Sequence, residues 1–274
     1  LIGQAKVMKL CHEMCPNAKI GPAPNISSIY PASPDPVDVL VANTFSSIRN
    51  WLYLDAAVWG IYNNVAWSYL LEKNATPDIE KGDMEILKNA KPDFIAFNYY
   101  STLTVKAPSN EITTEKKEDT DQQSGIKDSK AFESADNPFL EKNQYGWEID
   151  PVGLRITLRE IYERYRLPLI ITENGLGATD KLENEDTVND DYRIDYLRKH
   201  IQQCGLAIKD GVNLFGYLPW SAIDLISTHE GCTKRYGFIY VNRDEFDLKD
   251  LRRIRKKSFY WYKNVIESNG EKLN

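Results

Sequence analysis

The sequence has 274 residues, enough for one large domain or two modest ones. Hydrophobic residues make up 42% and charged residues 27%, with 34 Lys and Arg against 40 Asp and Glu, a formal charge of -6. This composition predicts a packed core, and the absence of a basic tract excludes a nucleic-acid binder, although a local basic site can still hold a phosphate.

Residues 1–16 read as an amphipathic helix with Ile2, Val7 and Leu10 along one side, and Leu1 already falls inside that pattern. The chain therefore reads as starting within a larger unit. Ala18-Lys19-Ile20-Gly21 reads as a short strand, followed by a Pro- and Ser-rich loop from Pro22 to Pro36. Residues 37–60 read as helix, with Trp51, Leu52, Leu54 and Val58 as its apolar stripe. Asp83 is placed to cap a short helix through Leu87. Asp93-Phe94-Ile95-Ala96-Phe97 is a buried-strand pattern ending in Asn98-Tyr99-Tyr100. Residues 107–136 are polar and poor in large apolar groups, and read as a surface loop insertion within one domain.

Asp150-Pro151 opens a helix with a capping residue and a proline at its first position, and that helix runs to about Arg166. Leu167 to Thr172 is an almost wholly apolar strand, as suits a parallel sheet covered on both faces. A helix over 188–209, a strand over Asn213–Tyr217 and a last helix over 249–267, closed by Gly270, complete the order. Alternation of this kind predicts parallel strands with crossover helices. Four such strands fit either a small open α/β sheet or half of an eight-stranded barrel, and periodicity does not separate the two. No glycine-rich phosphate loop favours a nucleotide fold.

The four cysteines, Cys11, Cys15, Cys204 and Cys232, do not space as a disulfide framework. Cys11 and Cys15 flank His12, but no second ligand pair follows at zinc spacing, so they read as two thiols on one helical face. Free thiols, no signal peptide and no apolar run long enough for a bilayer together predict a cytoplasmic protein without a metal or organic cofactor.

In a parallel barrel, reactive groups lie at the carboxy ends of strands. Those ends carry Asn98 and Tyr100, then Glu173-Asn174-Gly175, then Trp220-Ser221 with Asp224 beyond. A carboxylate, amides, a phenol and an indole on one rim suit a sugar, whose hydroxyls take polar groups and whose apolar face takes an aromatic ring. Glu173 ends an apolar strand, where a charge is costly unless it has a partner or a task.

Ile171-Thr172-Glu173-Asn174-Gly175 resembles the nucleophile motif of glycoside hydrolase family 1. Phe97-Asn98-Tyr99-Tyr100 resembles that family's sixth-strand motif, Trp220-Ser221-Ala222-Ile223-Asp224 its eighth, and Lys234-Arg235-Tyr236-Gly237-Phe238 the segment that follows. The resemblance implies a TIM barrel, (βα)8, of which residues 1–274 carry strands five to eight, the carboxy-terminal half. It makes Glu173 the nucleophile of a retaining glycosidase. Tyr100 would donate a hydrogen bond that keeps Glu173 ionised, Asn98 would position the sugar, and Trp220 would pack against its ring.

The resemblance also narrows the substrate. Plain β-glucosidases of the family hold the outer hydroxyls with a Glu-Trp pair where this chain has Ser227-Thr228. A glutamate there would repel a phosphate dianion, whereas Ser227, Lys234 and Tyr236 match the family's 6-phosphate ligands. Thr228 suits the equatorial 4-hydroxyl of glucose. The implied reaction is hydrolysis of 6-phospho-β-glucosides, with a non-hydrolytic glucose 6-phosphate binder or a 6-phospho-β-galactosidase as alternatives. His229 and Glu230 lie within the same loop, and Trp147 reads as structural. Retaining hydrolysis needs a second carboxyl group, in this family the glutamate of an Asn-Glu-Pro motif, and none occurs here; Glu13 and Glu80 have the wrong context. The implied partners are the missing amino-terminal half-barrel, or a second copy, at two open sheet edges.

Overall fold

The computed structural model describes residues 1–108, 131–184, 186–228 and 230–274, together with the backbone of 127–128. Helix α1 spans Ile2–Met14. Pro16 follows Cys15, which leaves the helical region at φ -130°, as expected for a residue preceding proline. Ala5 and Met8 form its buried side, while Val7 and Leu10 are exposed, so the apolar stripe is rotated from the expected one.

Strand β1 (Ile29–Pro31) breaks what reads as one loop. The expected helix over 37–60 is three pieces: α2 (Pro36–Ser46), a π-helical turn (Ser47–Trp51) and α3 (Leu52–Val58). Helix α4 (Asn64–Glu72) was not anticipated, although Asn63 caps it by accepting from the amides of Val65 and Ala66. Helix α5 (Asp83–Asn89) begins after Gly82, which takes a left-handed φ of 99°. Asp83 is thus the first helical residue rather than the cap, and its carboxylate accepts from Glu80 N at 3.0 Å.

Strand β2 is Ile95–Asn98 and β3 is Leu103–Lys106. Most of the expected polar insertion at 107–136 lies outside the described residues. Within it lie β4 (Lys127–Asp128) and β5 (Phe132–Ala135), and these join β1 and β3 in a sheet of order β1-β3-β5-β4. A hairpin of β6 (Glu141–Lys142) and β7 (Glu148–Ile149) leads to α6 (Pro151–Tyr165), which Asp150 caps through Gly153 N as expected. Then come β8 (Leu169–Glu173), α7 (Asp191–Lys209) and β9 (Leu214–Tyr217). The last helix, α8, covers only Lys257–Glu267, because β11 (Arg253–Arg255) pairs antiparallel with β10 (Ile239–Val241) just before it.

β2, β8 and β9 form a parallel sheet in that order. Beside β2 runs the extended segment 20–26, which is the expected first strand displaced toward the carboxy terminus. Ile20, Pro22 and Pro24 carbonyls accept from the amides of Asp93, Ala96 and Asn98, and Ile26 N donates to Asn98 O at 3.1 Å. A full parallel ladder would also need donors at Pro22 and Pro24, and proline has none, so only the single bridge Asn25–Asn98 is complete.

Helices α3, α6 and α7 cover one face of this sheet. Leu54, Ile95, Phe97, Leu154, Leu158, Ile161, Leu169 and Ile171 are buried together there. Each fully buried large aliphatic group contributes roughly 1.5–3 kcal/mol, so this layer fixes the strand ends on which the site is built.

Candidate active site

β8 delivers Glu173 at its carboxy end. The β2–β8 register slips by one between Phe97 and Asn98, so Asn98 lies opposite Glu173 rather than Thr172. This bulge turns the last residue of β8 away from plain alternation. Tyr99 N donates to Glu173 O at 2.8 Å and holds the bulge. Thr172 Oγ1 donates to Asn98 Oδ1 at 2.8 Å and orients the amide.

Tyr100 Oη donates to Glu173 Oε2 at 2.5 Å, the contact that the resemblance implies. Burial, reinforced by that carboxylate, pushes the Tyr100 phenol far above its ordinary pKa, so it remains a donor throughout the accessible pH range. Asn174 is fully buried: its Nδ2 donates to Tyr99 O at 2.9 Å, and its Oδ1 accepts from Tyr217 Oη at 2.6 Å. Its carbonyl accepts from Trp220 N at 2.8 Å, which fastens the segment after β9 to the turn after β8. Gly175 permits this approach, since a Cβ there would sit 2.0 Å from Trp220 O. The Trp220–Ser221 peptide is cis, and Trp220 is half-buried.

A second cluster forms at residues 227–236. Ser227, Lys234 and Tyr236 are 7%, 3% and 8% exposed, too buried for the solvated basic loop that composition alone suggests. Ser227 Oγ lies 3.4 Å from Tyr236 Oη. Reciprocal bonds between Ala178 and Arg235, at 3.0 and 2.8 Å, pair this loop with the one leaving Glu173. The Lys234 stem lies on Gly177, where an added Cβ would be 2.5 Å from its Cγ. Lys234 Nζ sits 4.0 Å from the Trp147 ring centroid and 4.4 Å from that of Tyr145. Trp147 also meets Tyr100 edge-on at 5.7 Å. An aromatic link thus joins Glu173 and Tyr100 to the basic cluster through Trp147. Thr228 is exposed, and no described contact draws it into the cluster; His229 lies outside the described residues.

Behind both clusters is a buried ionic network that sequence reasoning missed. Arg193 donates to Asp190 Oδ2 at 3.0 Å, Asp180 Oδ2 at 3.3 Å and the carbonyls of Leu176 and Tyr236. Lys256 donates to Asp180 and, at 2.7 Å, to Asp224 Oδ1. Arg235 reaches Asp224 Oδ2 at 3.1 Å. Asp224 therefore braces the loop from within, instead of lining the rim. Burial, and then the Arg193 charge, lower the Lys256 pKa, which the two carboxylates oppose.

Among the described residues, no group of three or more His, Cys, Asp or Glu side chains could hold a metal ion. His12 is instead 2.9 Å from Asp93 Oδ2, and all four cysteines are free. No helix among the described residues is long and apolar enough to cross a membrane.

The model of the family described as "Glycosyl hydrolase family 1" matches residues 1–271. The chain is 46% identical to the aryl-phospho-beta-D-glucosidase BglC of Bacillus subtilis, over 99% of this chain and 58% of the relative. It is 42% identical to a 6-phospho-beta-glucosidase of Dickeya chrysanthemi, over 100% of this chain and 56% of the relative. Among solved structures it is similar to a family 1 β-glucosidase from Thermotoga maritima, with a TM-score of 0.82, 32% identity and coverage of 98% of this chain and 55% of the other. The chain spans a little over half the length of these relatives, and its fold is a partial α/β barrel.

Proposed function

The chain belongs to glycosyl hydrolase family 1, and on that premise we propose that the whole enzyme hydrolyses 6-phospho-β-glucosides with retention, this chain supplying the nucleophile and the phosphate site. The carrying observation is the buried Ser227–Lys234–Tyr236 cluster, tied to Glu173 through Trp147 and Tyr100. The names of the phospho-glucosidase relatives support the same substrate class.

In this reading Lys234 supplies positive charge to the 6-phosphate, and the hydroxyls of Ser227 and Tyr236 donate to it. Asn98 binds a sugar hydroxyl, Trp220 stacks on the ring, and Thr228 leaves space for an equatorial 4-hydroxyl. Tyr100 occupies Glu173 Oε2, so Oε1 is the oxygen that attacks the anomeric carbon. The C–O bond to the aglycone breaks as the Glu173–carbon bond forms, and water later releases glucose 6-phosphate. A second carboxyl group, about 5–5.5 Å from the nucleophile in a retaining enzyme, must protonate the leaving oxygen and activate that water. No Asn-Glu-Pro occurs in these residues, so we assign turnover to the whole enzyme and sugar-phosphate binding alone to this chain. Its remaining sheet edges are assigned to the rest of the barrel or to a second copy, and the phosphorylated substrate and free thiols fit a cytoplasmic setting.

The test is a calorimetric titration of the chain with glucose 6-phosphate against glucose. Binding of the phosphate ester only, weakened about tenfold or more in Lys234→Ala, is expected; equal affinity for the two sugars refutes the phosphate site. In the whole enzyme Glu173→Gln abolishes turnover, and near-normal rates would exclude it as nucleophile.

A further inference from the structure

Asn174, the residue after Glu173, is gripped by two tyrosine hydroxyls that come from separate elements. Tyr217 ends β9, and a slip in the β8–β9 register decides which way it faces. Leu169 pairs with Leu214, but Ile170 pairs with Gly216 and Ile171 with Tyr217, so Phe215 is skipped. Leu214 and Tyr217 therefore both pack against the helix-covered core, where unbroken alternation would place them on opposite faces. Gly216 lets the slipped strand lie close to β8, since a Cβ there would be 2.8 Å from Ile170 Cδ1. The second hydroxyl belongs to Tyr196 of α7. That residue is 3% exposed, and the His200 ring lies against its own with centroids 3.9 Å apart.

The Asn174 amide has one oxygen and two N–H groups, and all are engaged. Tyr217 Oη donates to Oδ1 at 2.6 Å, while Nδ2 donates to Tyr99 O at 2.9 Å and to Tyr196 Oη at 3.1 Å. A carbonyl can only accept, so Tyr99 O fixes which end of the amide is nitrogen. Tyr196 Oη then gives its own hydrogen to Tyr100 O at 3.4 Å. The two tyrosines thus secure both stretches of backbone that carry the carboxylate and its donor. Asn174 is joined to Glu173 by a peptide bond, and Tyr100 holds Glu173 Oε2 at 2.5 Å. Phenylalanine at either position would fill the same space, so packing does not account for the hydroxyls; losing either one would leave part of a buried amide unpaired. We propose that Tyr196 and Tyr217 are positioning residues for Glu173, acting through Asn174 to hold its carboxylate against the Tyr100 phenol. This rests on the reading of Glu173 as nucleophile, and extends it to two elements, α7 and β9, that present no group to the carboxylate itself.

The experiment is proton NMR of the full chain, reading the Tyr100 hydroxyl. A hydrogen shared with a carboxylate over 2.5 Å resonates far downfield, and its loss in Tyr100→Phe assigns it. Tyr196→Phe and Tyr217→Phe should each move that resonance upfield or broaden it beyond detection. Leu197→Ala alters a buried neighbour on α7 that has no polar side chain; it should lower stability in urea and leave the resonance in place. Asn174→Ala should reproduce the tyrosine effect, and adding Tyr217→Phe to it should change nothing more. If Asn174→Ala fails to fold, the two phenylalanine variants carry the test against Leu197→Ala. Phenylalanine variants with the wild-type resonance overturn the proposal, as does a wild-type chain that shows none. An equal change in Leu197→Ala overturns it too, because loosening of the helix would then suffice. In the whole enzyme both phenylalanine variants should lower kcat about tenfold while KM for the phosphorylated glucoside stays within about threefold; a change confined to KM counts against positioning. A whole enzyme that keeps its rate as Glu173→Gln would instead defeat the nucleophile reading, and the hydroxyl measurement would still judge the tyrosine pair.

Discussion

Replacing Lys256 by methionine tests whether the buried ionic network holds the two halves of the site together. Lys256 is fully buried and bonds Asp180 and Asp224 at once, carboxylates whose side chains are 0% and 3% exposed. Methionine keeps most of the stem volume, so little cavity penalty arises. What is lost is the charge between two acids. Removing one partner of a buried pair costs about 3–5 kcal/mol. Each carboxylate retains another cation, Arg193 at 3.3 Å for Asp180 and Arg235 at 3.1 Å for Asp224. The low end, about 3 kcal/mol, is therefore expected. Urea unfolding of both proteins reads it directly from the midpoint and slope. Asp180→Asn in the same background removes one orphaned charge, so the double variant should be more stable than the sum of the single effects by about 1–3 kcal/mol. A Lys256→Met cost below about 1 kcal/mol, or strict additivity, would refute the network as a structural brace. Because Asp224 also accepts from Gly237 N at 2.9 Å, glucose 6-phosphate affinity should weaken in the same variant.

Two further outcomes follow from the geometry. Gly177→Ala would place a Cβ 2.5 Å from Lys234 Cγ, so glucose 6-phosphate titration should show weakened binding with the glucose response unchanged; undiminished affinity would mean the stem does not lie there. His200 is fully buried, its Nδ1 donates to Tyr196 O at 2.7 Å, and its Nε2 has no partner among the described residues. Burial lowers its pKa from 6.5 to about 4. The unfolded chain therefore binds the extra proton between those values, and stability declines as pH falls from 6.5 toward 4 and levels off below. That contribution is about 3 kcal/mol, and urea denaturation should give a flatter stability profile for His200→Phe across this window.

The strand end at Glu173 was legible because an apolar run ending in a charge suits a buried strand meeting solvent, and β8 ends there; the role expected of Glu173 came from the resemblance. Ser227, Lys234 and Tyr236 were singled out by the family resemblance, not by composition, and their burial left no mark in the local sequence. Other features depend on pairing at a distance. β1, β3 and β5 are three or four residues each, too short for periodicity, and exist because they pair with one another. Lys256 sits in the run Arg252–Lys257, which reads as a solvated basic face until Asp180 and Asp224 are seen around it. The last helix was overextended because the same charges fit a helix surface as well as β11. The contact of Trp147 with Lys234 gave no local signal, because Lys234 lies far along the chain.

The proline-bearing segment beside β2 has a consequence for solution measurements. Ile20, Pro22, Pro24 and Ile26 turn their backbone polar groups toward β2, and neighbouring residues in an extended chain face the opposite edge. The prolines thus remove donors only on the inner side. Gly21, Ala23 and Asn25 carry their amide hydrogens outward, where no described residue takes them. Those three amides form a built-in reporter of assembly. Exchanging rapidly with deuterated solvent, they signal a bare edge; slowing by orders of magnitude while Ala96 and Asn98 stay unchanged, they signal that another strand has docked alongside.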